Sequence, residues 1–123
     1  MTAKELMIGD LVLIKPEMKP IKVAAVHQKK IGYHVRADKL NWVRFGLLEP
    51  IPLTPKILEK NGFEYEPYKL AWHLPNGFRI LMSEIWALYL DDCLKAKLYN
   101  VHQLQHALRL CGLSDIANNL KVE

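Results

Sequence analysis

Asn100-Val-His-Gln-Leu-Gln-His-Ala-Leu-Arg-Leu-Cys-Gly112 carries the clearest helical period in the chain. Asn100 is a good N-cap, because its side-chain oxygen can accept from a free amide of the first turn, and Gly112 can take the left-handed conformation that stops a helix. At about 100° per residue, Val101, Leu104, Ala107, Leu108 and Cys111 share one face. His102, Gln105, His106 and Arg109 lie on the other side, with Leu110 between. A helix with one apolar face needs a surface to cover. Most of what precedes it reads as strand, so the fold class is α+β, with this helix laid on a sheet.

Residues 6–53 read as short strands. Ile8-Gly-Asp-Leu-Val-Leu-Ile14 opens with a turn and runs into aliphatic residues. Lys15 to Pro20 is expected to be a loop, since its two prolines cannot donate to a ladder. Ile21 to His27 alternates with period two, putting Ile21, Val23 and Ala25 on one face, with a break at Val26 that suggests a bulge. Gln28-Lys-Lys30 is a turn, and Ile31 to Arg36 and Leu40 to Phe45 are two further strands. Leu47 to Leu53 holds Pro50 and Pro52 and is an edge strand at most. Four or five short strands with tight polar turns predict a small SH3-like β-barrel over residues 1–53.

Residues 54–123 predict an α+β lobe packed with the barrel as one compact unit. Thr54 and Pro55 open a short helix, and Gly62 closes it. Tyr68 to Leu74 and Phe78 to Met82 flank Pro75-Asn-Gly77, a hairpin signal. Ser83 to Leu90 suits a helix or a strand by period alone. We read it as a strand, with Asp91-Asp92 as a turn and Leu94 to Tyr99 as its partner. Ser114 begins a final short turn.

Three stretches carry a resemblance: Leu6-x-Ile-Gly-Asp-x-Val12, Leu48-Glu-Pro-Ile-Pro-Leu-Thr-x-x-Ile-Leu-Glu-Lys-Asn-Gly-Phe63 and Tyr99-x-Val-His-Gln-Leu-Gln105. In these the chain resembles a family of small uncharacterised proteins of Bacteroides-type bacterial genomes, including prophages and other mobile elements. The linker block is the most specific part, and the similarity is weak between Tyr65 and Leu98. The family has no established activity, so the resemblance implies only a prokaryotic, phage-related context and supports the helix boundaries.

The chain has 123 residues, half of them hydrophobic, and a net charge of +4. Residues 1–53 hold nine Lys/Arg against five Asp/Glu, and the remainder holds eight of each, so the whole excess lies in the N-terminal part. A local positive field favours anionic partners such as nucleic acid. The N-terminus lacks the basic and apolar regions of a signal peptide. No apolar run approaches the roughly 20 residues of a membrane helix. A soluble cytoplasmic protein without membrane contact is expected. Cys93 and Cys111 read as small core thiols.

His102 and His106 stand at i and i+4, so both rings could reach one ion. A metalloprotease helix needs His-Glu-x-x-His, and here the glutamate position is Gln103, which cannot take a proton at neutral pH. A third ligand would also be required; Cys111, Asp91, Asp92 and His73 are available, but no spacing singles one out. The plain alternative is two exposed polar residues on an amphipathic helix. Cysteine catalysis is disfavoured by the buried face under Cys111 and by the aspartates before Cys93. The glycines are single, which suits turns; there is no phosphate loop, and no cofactor is expected.

The remaining candidate is a basic and aromatic set: Lys29, Lys30, Arg36, Lys39, Trp42 and Arg44, with Tyr33 and His34 beside them. Lys and Arg neutralise phosphates, and an exposed ring can stack on a base. The alternative is that Trp42 serves as core and the lysines as a solvated turn. Tyr65, Tyr68, Trp72 and Trp86 offer aromatic surface for a protein partner, and the hairpin edge could pair with a second copy as a homodimer. The sequence therefore predicts a non-enzymatic accessory or regulatory binding protein acting through protein or nucleic-acid contacts. The alternative is a metal-dependent hydrolase built on His102 and His106.

Overall fold

The computed structural model describes residues 3–68, 71–74, 79–82, 86–90 and 93–123. After a 3-10 turn at Ala3–Glu5 come strands β1 (Leu11–Ile14), β2 (Lys19–Lys22), β3 (Ala25–Val26), β4 (Lys30–Arg36) and β5 (Lys39–Arg44). A second 3-10 turn, Phe45–Leu47, leads to β6 (Leu48–Glu49) and helix α1 (Pro55–Lys60). A meander follows: β7 (Glu64–Glu66), β8 (Ala71–His73), β9 (Arg79–Met82), β10 (Trp86–Leu90) and β11 (Cys93–Leu98). Helices α2 (Val101–Leu110) and α3 (Ser114–Asn118) end the chain. No helix among the described residues is long and apolar enough to cross a membrane.

The expected SH3-like barrel is not found. Residues 1–53 form two separate three-stranded antiparallel sheets, ordered β2-β1-β6 and β3-β4-β5, with no ladder closing one onto the other. Two local features keep them apart. The turn at Phe45–Leu47, anchored by the buried Phe45 ring, separates β5 from β6. The expected single strand from Ile21 to His27 also breaks, at Val23–Ala24 and not at Val26. There successive amides serve different sheets: Val23 N–H donates to Asp10 O at 2.8 Å, and Ala24 N–H donates to Gly32 O at 2.8 Å. The loop expected through Pro20 is shorter than predicted, because Pro20 lies within β2 opposite Leu13. β2 is an edge strand, where a residue without N–H is tolerated.

The continuous apolar run Leu11-Val-Leu-Ile14 is explained by burial on both faces. Leu11 and Leu13 pack toward the large core, while Val12 and Ile14 pack toward the small core between the two N-terminal sheets. β1 is therefore a wall shared by both cores. Ile31, Val43, Phe45 and Leu48 complete the small core. The large core joins Leu58 of α1, Ile80 and Leu98 of the meander, and Leu104 and Leu108 of α2.

Helix signals in the sequence act as expected. Thr54 Oγ1 accepts from Ile57 N–H at 3.3 Å, Pro55 occupies the first turn, and Gly62 takes φ +85°. Asn100 and Gln103 form a reciprocal capping box, with 3.3 Å bonds in each direction. The linker is stitched to the start of this helix by Val101 N–H to Ile51 O at 2.8 Å and by a bridge between Pro52 and Asn100. The five-stranded meander runs in the order β11-β10-β9-β8-β7, so the strand reading around residues 86–98 matches the structure. The turns expected at Pro75-Asn-Gly77 and at Asp91-Asp92 lie outside the described residues.

Leu104 is fully buried, whereas Leu110 on the same helix is 89% exposed. Leu104→Ala is expected to lower unfolding stability by about 2–5 kcal/mol, through lost burial and a residual cavity. Leu110→Ala should change it by less than about 0.5 kcal/mol. Denaturant titration of the two variants checks both values.

Candidate functional site

The basic and aromatic residues sit on the β3-β4-β5 sheet. Alternation along β5 turns the buried Val43 toward the small core and sends Trp42 and Arg44 to the opposite face. The register places Lys30 opposite Arg44 and Gly32 opposite Trp42. Gly32 lets the indole lie over the sheet: a Cβ there would stand 3.4 Å from two Trp42 ring atoms and 3.4 Å from Ala25 Cβ. This glycine serves close approach within a strand, not a turn. The Trp42 side chain is nearly half exposed (48%), and Lys30 Nζ stands 5.1 Å from its ring centroid, a cation–π contact.

Lys30, Trp42 and Arg44 are thus brought together on one face, with Lys29 in the adjoining turn. Arg36 and Lys39 pair at the other end of the hairpin, beyond a register shift between His34 and Arg36. Lys39 and Arg44 are five positions apart, about 17 Å of strand, so the cations form two groups and not one cluster. Between residues 19 and 48 the only acidic side chain is Asp38. The aromatic set expected to form a protein surface differs in exposure among the described residues. Trp72 is buried at 9% with Tyr65 leaning on it at 5.1 Å, and Tyr68 is fully exposed. The side chain of Trp86 lies outside the described residues.

The polar side of α2 is not a solvent face, which corrects the expectation of exposed histidines. Gln105 is fully buried and His102 is 4% exposed. Gln105 Oε1 accepts from Leu11 N–H at 2.8 Å, and its Nε2 donates to Gly9 O at 2.9 Å and Ala117 O at 3.0 Å. One amide side chain therefore ties α2 to the start of β1 and to α3. Beside it, Asp10 is wholly buried. Its Oδ1 accepts from Arg109 Nη1 at 2.7 Å. Its Oδ2 accepts from Met7 N–H at 2.8 Å and lies 2.6 Å from His106 Nε2. The short contact holds one proton between Asp10 Oδ2 and His106 Nε2.

Gly9 makes room for this cluster. Its φ is +95°, and a Cβ there would meet Arg109 Nη2 at 2.9 Å. Sequence reading took Gly9-Asp10 as a turn and missed its partners. The signal was present in polar residues at positions 102, 105, 106 and 109, a stripe as regular as the apolar one.

The histidine pair has little left to offer a metal. Asp10 is the carboxylate nearest His106, and both its oxygens are engaged. The two rings meet edge to face at 5.8 Å. Among the described residues, no group of three His, Cys, Asp or Glu could hold an ion. Burial lowers the pKa of His102, an effect that outweighs the raising influence of Asp10, and its Nδ1 is buried without a hydrogen-bond partner. Cys111 is a free thiol at the end of α2, half-buried against the large core.

Asp10→Ala would leave the Arg109 guanidinium facing a cavity, and a stability loss of about 3–5 kcal/mol is expected in chemical denaturation. A loss under 1 kcal/mol would show that the cluster is not a structural clamp. His102 gives a pH effect of defined sign. Its folded pKa lies below its unfolded value, so the unfolded chain binds a proton first as pH falls through the mid-sixes. Stability should therefore drop between pH 7 and pH 5. His102→Leu should flatten that slope relative to the wild type, as read from unfolding midpoints at each pH.

Comparison with protein-family models, with curated proteins and with solved structures finds no match to this chain.

Proposed function

We propose that the protein is a non-enzymatic accessory binding module that contacts single-stranded nucleic acid through the outer face of the β3-β4-β5 sheet. The observation that carries the reading is Trp42. Its ring lies over Gly32 and remains half exposed, with Lys30 against it and Arg44 beside it on the strand. A rigid exposed indole flanked by cations suits a base stacked on the ring and phosphates held by the side chains. The near absence of acidic residues between positions 19 and 48 keeps the field around that face positive. The resemblance to small Bacteroides-type and prophage proteins supports a bacterial or mobile-element setting for this activity. A protein ligand is the competing reading, with Tyr65 and Tyr68 as its exposed aromatics.

The test is fluorescence anisotropy with labelled single- and double-stranded DNA and RNA at low and moderate salt. Single strands should bind in the micromolar range, with affinity falling steeply as salt rises. Trp42→Ala should weaken binding about tenfold, within the usual value of base stacking, while leaving the circular dichroism spectrum unchanged. Lys30→Ala/Arg36→Ala/Arg44→Ala should lower both affinity and salt dependence. No binding at low salt, or full affinity in Trp42→Ala, would reject nucleic acid at this face and transfer attention to a protein partner.

A further inference from the structure

A cleft of about 550 Å³ opens between β2 and the far half of β4. Its origin is the break at Val23–Ala24. β3 pairs only with Ile31 and Gly32, and β2 then peels away to join β1. The lane beside Tyr33, His34 and Val35 has no neighbouring strand among the described residues. Along β4 the even-numbered residues face this lane, since Lys30 O and Gly32 O accept from His27 N–H and Ala24 N–H. The next in the series, His34, turns its N–H and C=O into the cleft. On the opposite wall, β2 is the edge of its sheet. Val23 N–H is directed to Asp10 O, so alternation points Lys22 N–H outward.

The side chains give the cleft its chemistry. Pro20 and Tyr33 supply flat apolar walls, and Val35 keeps 45% of its surface exposed at the mouth. Lys19, Lys22 and His34 surround them, and no acidic residue lines the cleft. Lys22 Nζ donates to Asn118 O at 2.8 Å, a residue outside the cleft lining, so Lys19 and His34 are the groups left to meet a charge. A flat ring attached to an anion meets every one of these features: apolar walls for the ring, outward-pointing strand amides for its polar edge, and the Lys19 ammonium for the charge. The volume falls within the range of small-ligand pockets.

The geometry points to a nucleotide pocket: we infer that the cleft between β2 and β4 takes the base of one nucleotide, with its phosphate at Lys19. This deepens the reading of the Trp42 face and rests on it for the source of the nucleotide, a strand passing the β4 edge at His34. An acidic peptide is the other macromolecular ligand with suitable charge. It is disfavoured because Pro20 removes an edge donor that a peptide would use in pairing.

The experiment is a ¹⁵N–¹H NMR titration of the intact protein with uridine and adenosine monophosphates, inorganic phosphate and an acidic hexapeptide, alongside anisotropy with a single-stranded oligonucleotide. Mononucleotides should shift the amides of 19–24 and 33–35. Lys19→Glu/Tyr33→Leu should abolish those shifts and weaken the oligonucleotide about tenfold. Retention of the remaining spectrum shows that the double variant is folded. Mononucleotide shifts that fill the cleft without any oligonucleotide binding would support the pocket and sink the strand reading. Oligonucleotide binding with no mononucleotide shift, and no effect of the double variant, would overturn the pocket and spare the Trp42 face. Equal shifts from inorganic phosphate alone, or shifts from the peptide only, would also overturn it.

Discussion

The buried side chains of Asp10 and Gln105 join the start of β1 to helices α2 and α3. Gln105 answers three backbone groups at this junction, those of Gly9, Leu11 and Ala117. Asp10 gathers Met7 N–H, His106 and Arg109 around a carboxylate with no solvent exposure. Buried polar groups are costly unless satisfied, and removing one partner leaves the others stranded. The turn before β1 and the polar stripe of α2 are therefore one structural unit, although about ninety residues of chain lie between them.

That junction sets the placement of the surfaces. β1 starts where Gln105 holds Leu11, and its alternate side chains enter two different cores. Asp10 also accepts from Val23 through its main-chain oxygen, at the point where the chain leaves one sheet for the other. The cleft beside β4 exists because β2 is drawn toward β1 there. The Trp42 face exists because β4 and β5 keep their own twist and register, with Gly32 giving up its side chain beneath the ring. Clamp, cleft and exposed tryptophan are consequences of how one sheet is held against the other.

The helices and most strands were legible in the sequence, because their signals are local. Thr54, Pro55 and Gly62 bound one helix, Asn100 and Gly112 another, and the period of the apolar residues between them was sufficient. The strand character of residues 86–98 also followed from composition and spacing. The barrel did not follow. Closure depends on whether β5 runs on into β6 and whether β2 and β3 form one bent strand. Both are decided by the burial of Phe45 and by the hydrogen bonds of Val23 and Ala24, which pair with residues remote in sequence.

The same division holds for the site residues. By itself the sequence determined the charge asymmetry, the presence of two strands around Tyr33 and Trp42 and the helical spacing of His102, Gln105, His106 and Arg109, since period and charge are properties of consecutive residues. Only the tertiary structure decided that those four polar residues face inward, because burial depends on a partner strand that arrives from the other end of the chain. It likewise decided that Trp42 stays half exposed over Gly32 and that Lys19, Lys22 and Tyr33 share a cleft, because a gap between two sheets has no signature in either strand alone.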